Sequence, residues 1–208
     1  MPRPLLILIT GAPGAGKTTL ARRIAAEFHL PLIAKDDIKE SLFDSLGWKD
    51  REWSKQLGRA TYDLVYYFVA TQLAAGRSLI VESNFDATSA TAKFRALRAK
   101  HDFALVQILL KCDGDVLVER FQARSDSGTR HPGHGDLTAA ECDALRNQHC
   151  TPLDLDGAVF EIDTTNFDHV DYTSLFEAIR TVRESREHLH RTPSGVPVSP
   201  RKDSRGFA

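Results

Sequence analysis

The run Leu5-Leu6-Ile7-Leu8-Ile9-Thr10-Gly11-Ala12-Pro13-Gly14-Ala15-Gly16-Lys17-Thr18 decides the fold. Its first six residues form an apolar stretch that reads as a strand buried on both faces. Its last eight satisfy the pattern G-x-x-x-x-G-K-[ST] in full. Beyond them, Leu20, Ile24 and Phe28 recur every four residues, which is one face of a helix. A strand that feeds a glycine-rich turn and then a helix is the context that separates a phosphate-binding loop from a chance cluster of glycines. The glycines let the chain turn tightly, so that successive backbone N–H groups converge on phosphate oxygens. The helix adds its positive N-terminal end at the same point. The expected nucleotide-binding set is Gly11, Ala12, Pro13, Gly14, Ala15, Gly16, Lys17, Thr18 and Thr19. Within it, Lys17 reaches the β- and γ-phosphates, the Thr18 hydroxyl is the metal ligand for Mg²⁺, and Thr19 touches the α-phosphate.

Outward from this loop, strands and helices alternate. Strands are expected over 32–34, 78–81, 104–110 and 159–162. Amphipathic helices are marked by Ile38 to Leu46, Leu57 to Leu73, the stretch ending near His101, and Asp113 to Phe121. Two more run from Thr138 to about 148 and from Tyr172 to about 187. This alternation means an α/β fold with a parallel sheet and helices on both faces. Ser125 to Asp136 reads SDSGTRHPGHGD, polar and without periodicity, and is expected to be a mobile flap. One domain is expected over 1–187, and the proline-containing tail at 188–208 is expected to be disordered.

Composition narrows the function. With 27 Lys plus Arg against 28 Asp plus Glu, the net charge is −1, so no global positive field holds a long nucleic acid. Three cysteines without a C-x-x-C pair argue against a disulfide framework and for a reducing compartment. The apolar run 5–9 is too short to span a bilayer, which takes about 20 residues. A cytoplasmic protein without a membrane partner is therefore expected.

A phosphate loop alone does not say what is done with the nucleotide. Three further groups of residues bear on that. Asp36 and Asp37 follow the second strand, and the carboxyl ends of parallel strands face the ligand crevice. One of them suits the carboxylate that orients an acceptor hydroxyl and takes its proton, and the other suits a helix N-cap. Glu82 and Asn84 close the third strand at the same edge. There they suit a water-mediated contact to Mg²⁺, a contact to substrate, or plain turn chemistry. Arg120 and Arg124 share one helix face, and Arg130 follows in the flap, a placement suited to closing over transferring phosphates. His131 and His134 lack partner ligands at a telling spacing and read as exposed flap residues or substrate contacts. Trp48, Trp53, Tyr62 and Tyr66 line an acceptor pocket or pack the core.

Taken in order, GAPGAGKTTLA at 11–21, KDDIKESL at 35–42, VESN at 81–84 and LVERFQAR at 117–124 resemble P-loop kinases. The resemblance is to the 5′-kinase domain of polynucleotide kinase, to zeta toxins and to chloramphenicol phosphotransferase, over about residues 4–165. It implies a P-loop NTPase fold with five parallel strands in the order 2-3-1-4-5 and a mobile lid over about 120–137. It implies ATP and Mg²⁺ as cofactors and Asp36 as general base. Lys17, Arg120 and Arg124 complete the implied catalytic set, with Arg124 nearest the transferred phosphate. It further implies that the nucleotide base lies near Asp163 to Asn166. The implied substrate-binding residues are Asp36, Asp37, Lys39, Glu82, Asn84 and Arg130. Polynucleotide kinases carry Arg where this chain has Lys39, and lysine lacks the bidentate fork. That difference, with the near-neutral charge, favours a small-molecule acceptor over a nucleic-acid end. The alternatives are a polynucleotide 5′-hydroxyl kinase and a non-transferring ATP-binding switch or toxin-like regulator.

Overall fold

The computed structural model describes residues 3–128 and 130–189, the last five of them by backbone alone. The expectation for the tail lies, from residue 190 onward, outside the described residues. The strands are β1 (Leu5–Gly11), β2 (Leu32–Ala34), β3 (Leu79–Glu82), β4 (Ala104–Lys111) and β5 (Ala158–Asp163). They form one parallel sheet in the order β2-β3-β1-β4-β5. The expected strand order and fold class therefore hold. β1 lies at the centre, and all seven of its residues are buried, which is why Leu5 to Ile9 form an unbroken apolar run.

The helices are α1 (Lys17–Phe28), α2 (Lys35–Leu46), α3 (Arg51–Ala74), α4 (Ala87–Arg98), α5 (Gly114–Asp126), α6 (Ala139–Arg146) and α7 (Tyr172–Leu189). Leu5, Ile7 and Ile9 of β1 pack with Leu20 and Ile24 of α1, Phe121 of α5 and Ile179 of α7. Leu6 and Leu8 face the other way, onto Val65 and Val69 of α3 and Phe94 of α4. Each face of the sheet thus has its own apolar layer, as a doubly covered parallel sheet requires.

Three helix starts or ends differ from the periodicity, each for a local reason. α2 begins at Lys35, directly after β2, with Asp36 and Asp37 in its first turn where the helix dipole favours acids. α3 begins at Arg51, six residues before Leu57, because the Asp50 carboxylate accepts the Trp53 N–H at 2.8 Å and caps it. α5 runs past Phe121 to Asp126, so Arg120 and Arg124 both sit on it. α6 starts with a capping box between Thr138 and Glu141. Among the described residues, no helix is long and apolar enough to cross a membrane.

Candidate active site

The carboxyl ends of β1, β2 and β3 converge where α1 and α2 begin. At the end of β1 the chain turns through Gly14 and Gly16, with φ of 87° and 80°. At Gly16 a side chain is excluded twice over, because a Cβ would also collide with the Phe167 ring. The Lys17 ammonium folds back to donate to the Ala12 carbonyl at 3.0 Å. Burial pulls this lysine below its ordinary range, while Glu82 and Asp36 oppose that fall. The Ala15 carbonyl accepts from the Thr164 hydroxyl at 2.9 Å, and the same hydroxyl lies 2.9 Å from the Lys111 carbonyl. Thr164 is fully buried, so it ties the ends of β4 and β5 to the loop.

Thr18 and Glu82 form the next part. The Thr18 hydroxyl donates to Glu82 at 3.0 Å. Glu82 is buried at the end of β3, and that burial raises its carboxyl, against the opposing pull of Lys17. A hydroxyl beside a buried carboxylate fits a Mg²⁺ that takes its remaining ligands from phosphates and water. Among the described residues no group of three or more His, Cys, Asp or Glu is placed to hold a metal ion.

The two aspartates of α2 part ways. Neither caps the helix, since Ala34 holds the N-cap position without a side-chain bond. Asp37 is 3.5 Å from Arg22 of α1. Asp36 accepts from the Lys35 ammonium at 2.8 Å. Desolvation pushes the Asp36 carboxyl up, but Lys35 and Lys17 pull it further down, to about 2. The group is therefore an anion at neutral pH. Lys35 carried no role in the sequence reading, yet it is the direct partner of this carboxylate.

The other expected residues fall as follows. Asn84 is exposed beyond β3, and its carbonyl accepts from the Tyr62 hydroxyl of α3 at 3.2 Å. Tyr62 also lies 3.0 Å from the Ser83 hydroxyl, so it braces the turn that carries Glu82 and Asn84. Arg120 donates to the carbonyls of Thr164 at 2.8 Å and Thr165 at 2.9 Å, with its guanidinium 4.9 Å from the Phe167 ring. It is thereby joined to the segment where the base was expected. Arg124 is exposed on the last turn of α5. Arg130 stands 4.0 Å over the Phe121 ring and donates to the Gly135 carbonyl at 2.6 Å. Burial and then the charge of Arg124 hold Arg130 below the ordinary arginine range, while Asp36 opposes them. The two flap arginines and Asp36 thus share one electrostatic neighbourhood.

The histidines are not exposed. His131 stacks on Phe43 of α2 with ring centroids 5.0 Å apart, and His134 meets the same ring edge-on at 5.4 Å. His134 is 3.0 Å from Glu40, and His131 is 3.3 Å from Asp44. Gly133 lies so close to the Phe43 ring that a Cβ would come within 2.8 Å of it. Glu40, Phe43 and Asp44 lie one and two turns beyond Asp36, so the flap is docked on the helix that carries the anion. Burial draws the His134 imidazole down to about 4, helped by Arg130 and the lysines 39 and 35 and opposed by Asp36. Sequence alone gave no sign of this contact, because it joins residues about ninety positions apart.

This chain is similar to known proteins. The family model described as an AAA domain matches residues 6–151. A solved structure of a candidate kinase from Chloroflexus aurantiacus J-10-fl is 40% identical, with a TM-score of 0.83 over 86% of this chain and 97% of that one. A cytidylate kinase from Pyrobaculum calidifontis is 26% identical over 193 residues, which is 89% of this chain and 92% of its own. An uncharacterized protein from Mycobacterium tuberculosis strain H37Rv is 30% identical over 147 residues, 67% of this chain. The match spans only 28% of that relative's length.

Two outcomes follow from the geometry. Thr164→Val strands the Ala15 carbonyl and lowers unfolding free energy by about 1–3 kcal/mol in urea denaturation. It also weakens binding of a fluorescent ATP analogue, and an unchanged affinity contradicts the bracing role. His134 takes a proton in the unfolded chain below about pH 6.5 but in the folded one only near 4. Stability is therefore lost as pH falls through that window. His134→Gln loses less over the same range in thermal melts. Equal pH slopes for the two proteins contradict the buried, neutral histidine.

Proposed function

The chain belongs to the P-loop kinase-like AAA-domain family, and from that premise we propose that it is a kinase that moves the γ-phosphate of ATP to a hydroxyl of a small molecule. The observation that carries this reading is Asp36, an anion held by Lys35 beside the phosphate loop and in the field of Lys17 and Arg130. A switch that only binds ATP has no need of such a carboxylate facing an arginine-bearing flap.

Each residue then has a task. The backbone of 11–18 and Lys17 hold the β- and γ-phosphates, for which Lys17 leaves the Ala12 carbonyl. Thr18, turned away from Glu82, would hold a Mg²⁺, with Glu82 reaching it through water. When bound, such a cation would supply positive charge against the phosphates. Asp36 orients the acceptor hydroxyl in line and takes its proton as the new O–P bond forms and the bond from the γ-phosphorus to the bridging oxygen breaks, with ADP as the leaving group. A carboxylate near 2 is a weak base. Phosphate charge placed opposite Lys17 and Lys35 offsets their pull and brings Asp36 up toward its working range. Arg124 and Arg130 stabilise the charge spread over the transferred group, which also relieves their mutual repulsion. Arg120 holds the segment beside the nucleotide base, and residues 120–137 serve as the lid. Lys39 and Asn84 belong to the acceptor side. Asp37, drawn to Arg22, sits at its margin.

Asp36→Asn is expected to bind a fluorescent ATP analogue like the parent and to lose about 100-fold or more in acceptor-dependent ADP release. Lys17→Ala loses both. Full turnover by the Asp36 variant contradicts the base assignment.

A further inference from the structure

Between the start of α3 and the flap lies a cleft of about 250 Å³, lined by Trp48, Lys49, Asp50, Arg51 and Ser54 on one side and Pro132 to Gly135 on the other. Pockets for drug-sized ligands begin at about 300 Å³, so this one suits a compact molecule. Its aromatic wall is Trp48, which is 52% exposed.

Behind the cleft stands an ammonium group that a core does not ordinarily keep. Lys39 is 8% exposed between α2 and α3. Among the described residues it forms no salt bridge. Its Nζ donates to the Ser54 hydroxyl at 2.9 Å and lies 5.1 Å from the Phe43 ring. A buried cation without an anion is costly, and an apolar side chain would fill the space without that cost. Burial and Lys35 draw Lys39 down to about 8, so it is still mostly charged at neutral pH.

The polarity of this contact gives it a direction. Ser54 accepts from Lys39, which leaves its own O–H free to donate, and Ser54 lines the cleft. The acids nearby are already engaged. Asp50 is turned to the Trp53 N–H, Glu141 to Arg51, and Glu40 to His134. The lining itself carries two cations, Lys49 and the Arg51 that is engaged with Glu141. Asp36 lies one turn before Lys39 on the same helix, and its carboxylate acts electrostatically on His134, which lines the cleft.

We infer that this cleft is the acceptor site and that the acceptor is a compact hydroxylated anion, its carboxylate or phosphate held by the Ser54 hydroxyl that Lys39 polarises. The inference rests on the kinase reading for the identity of the site, and the anion preference is its own addition. It excludes neutral sugars as preferred acceptors and a polynucleotide as the ligand of this cleft.

The test reads binding rather than transfer. Trp48 is one of two tryptophans, so Trp53→Phe makes its fluorescence a report on the cleft. With the phosphate loop filled by Mg²⁺ and a non-hydrolysable ATP analogue, four probes are titrated. They are D-glucose, D-gluconate as the carboxylate source, D-glucose 6-phosphate as the phosphate source, and a 5′-hydroxyl oligonucleotide. At least one small anion is expected to bind tenfold or more tightly than glucose. Lys39→Met and Ser54→Ala erase that preference, whereas Lys39→Arg retains it. The inference is overturned if glucose or the oligonucleotide binds as well as both anions, or if the preference survives Lys39→Met. Absence of any response to either anion at millimolar concentration overturns it too. Loss of acceptor-dependent ADP release in the Asp36→Asn protein is read separately, so a failed titration removes the anion assignment and leaves phosphoryl transfer standing.

Discussion

A loop that holds a polyphosphate must keep its own carbonyl oxygens away from it. In this chain two of them are held by named partners. The Ala12 carbonyl accepts from Lys17, and the Ala15 carbonyl accepts from Thr164. The first contact is within the loop. The second comes from the end of β5 and ties the loop to the sheet edge. Because Thr164 also bonds the Lys111 carbonyl, the loop, β4 and β5 are held as one unit. Arg120 extends that unit by gripping the carbonyls of Thr164 and Thr165 from α5. The position of every other group in the site is set relative to this frame.

α2 is the second frame. It starts without a linker after β2, so the strand end fixes where Asp36 stands. One and two turns on, Glu40, Phe43 and Asp44 take the flap through His134 and His131. A displacement of the flap therefore pulls on the helix that bears the carboxylate. The same helix places Lys39 against Ser54 of α3, at the wall of the cleft. Phosphate loop, flap and cleft thus meet on a single helix of 12 residues.

The sheet was legible because β1 is apolar from Leu5 to Ile9 and runs through Thr10 directly into the glycine pattern at Gly11. Periodicity placed the helices, but it missed the first turns of α2 and α3, whose residues are polar and held by caps and dipole rather than by burial. Within the site, Lys17, Thr18, Glu82 and Asp36 are close neighbours in space, as the strand ends required. The separation of Asp36 from Asp37 was not legible, since it depends on whether Lys35 or Arg22 is nearer. Nor was the docking of His131 and His134 on Phe43, which needs the tertiary path of the flap. The bracing by Thr164 was silent because a buried hydroxyl on a carbonyl leaves no pattern in sequence, and the contact of Tyr62 with the Ser83–Asn84 turn depends on the tertiary path of α3.

The central claim is that this site transfers a phosphoryl group to a small acceptor. The most direct measurement uses ATP labelled at the γ-phosphate, with Mg²⁺ and two acceptor pools, a small-molecule cell extract and a 5′-hydroxyl oligonucleotide. The account predicts label on an acid-stable product in the extract pool, and little on the oligonucleotide. Label released only as inorganic phosphate, at a rate indifferent to either pool, would contradict it.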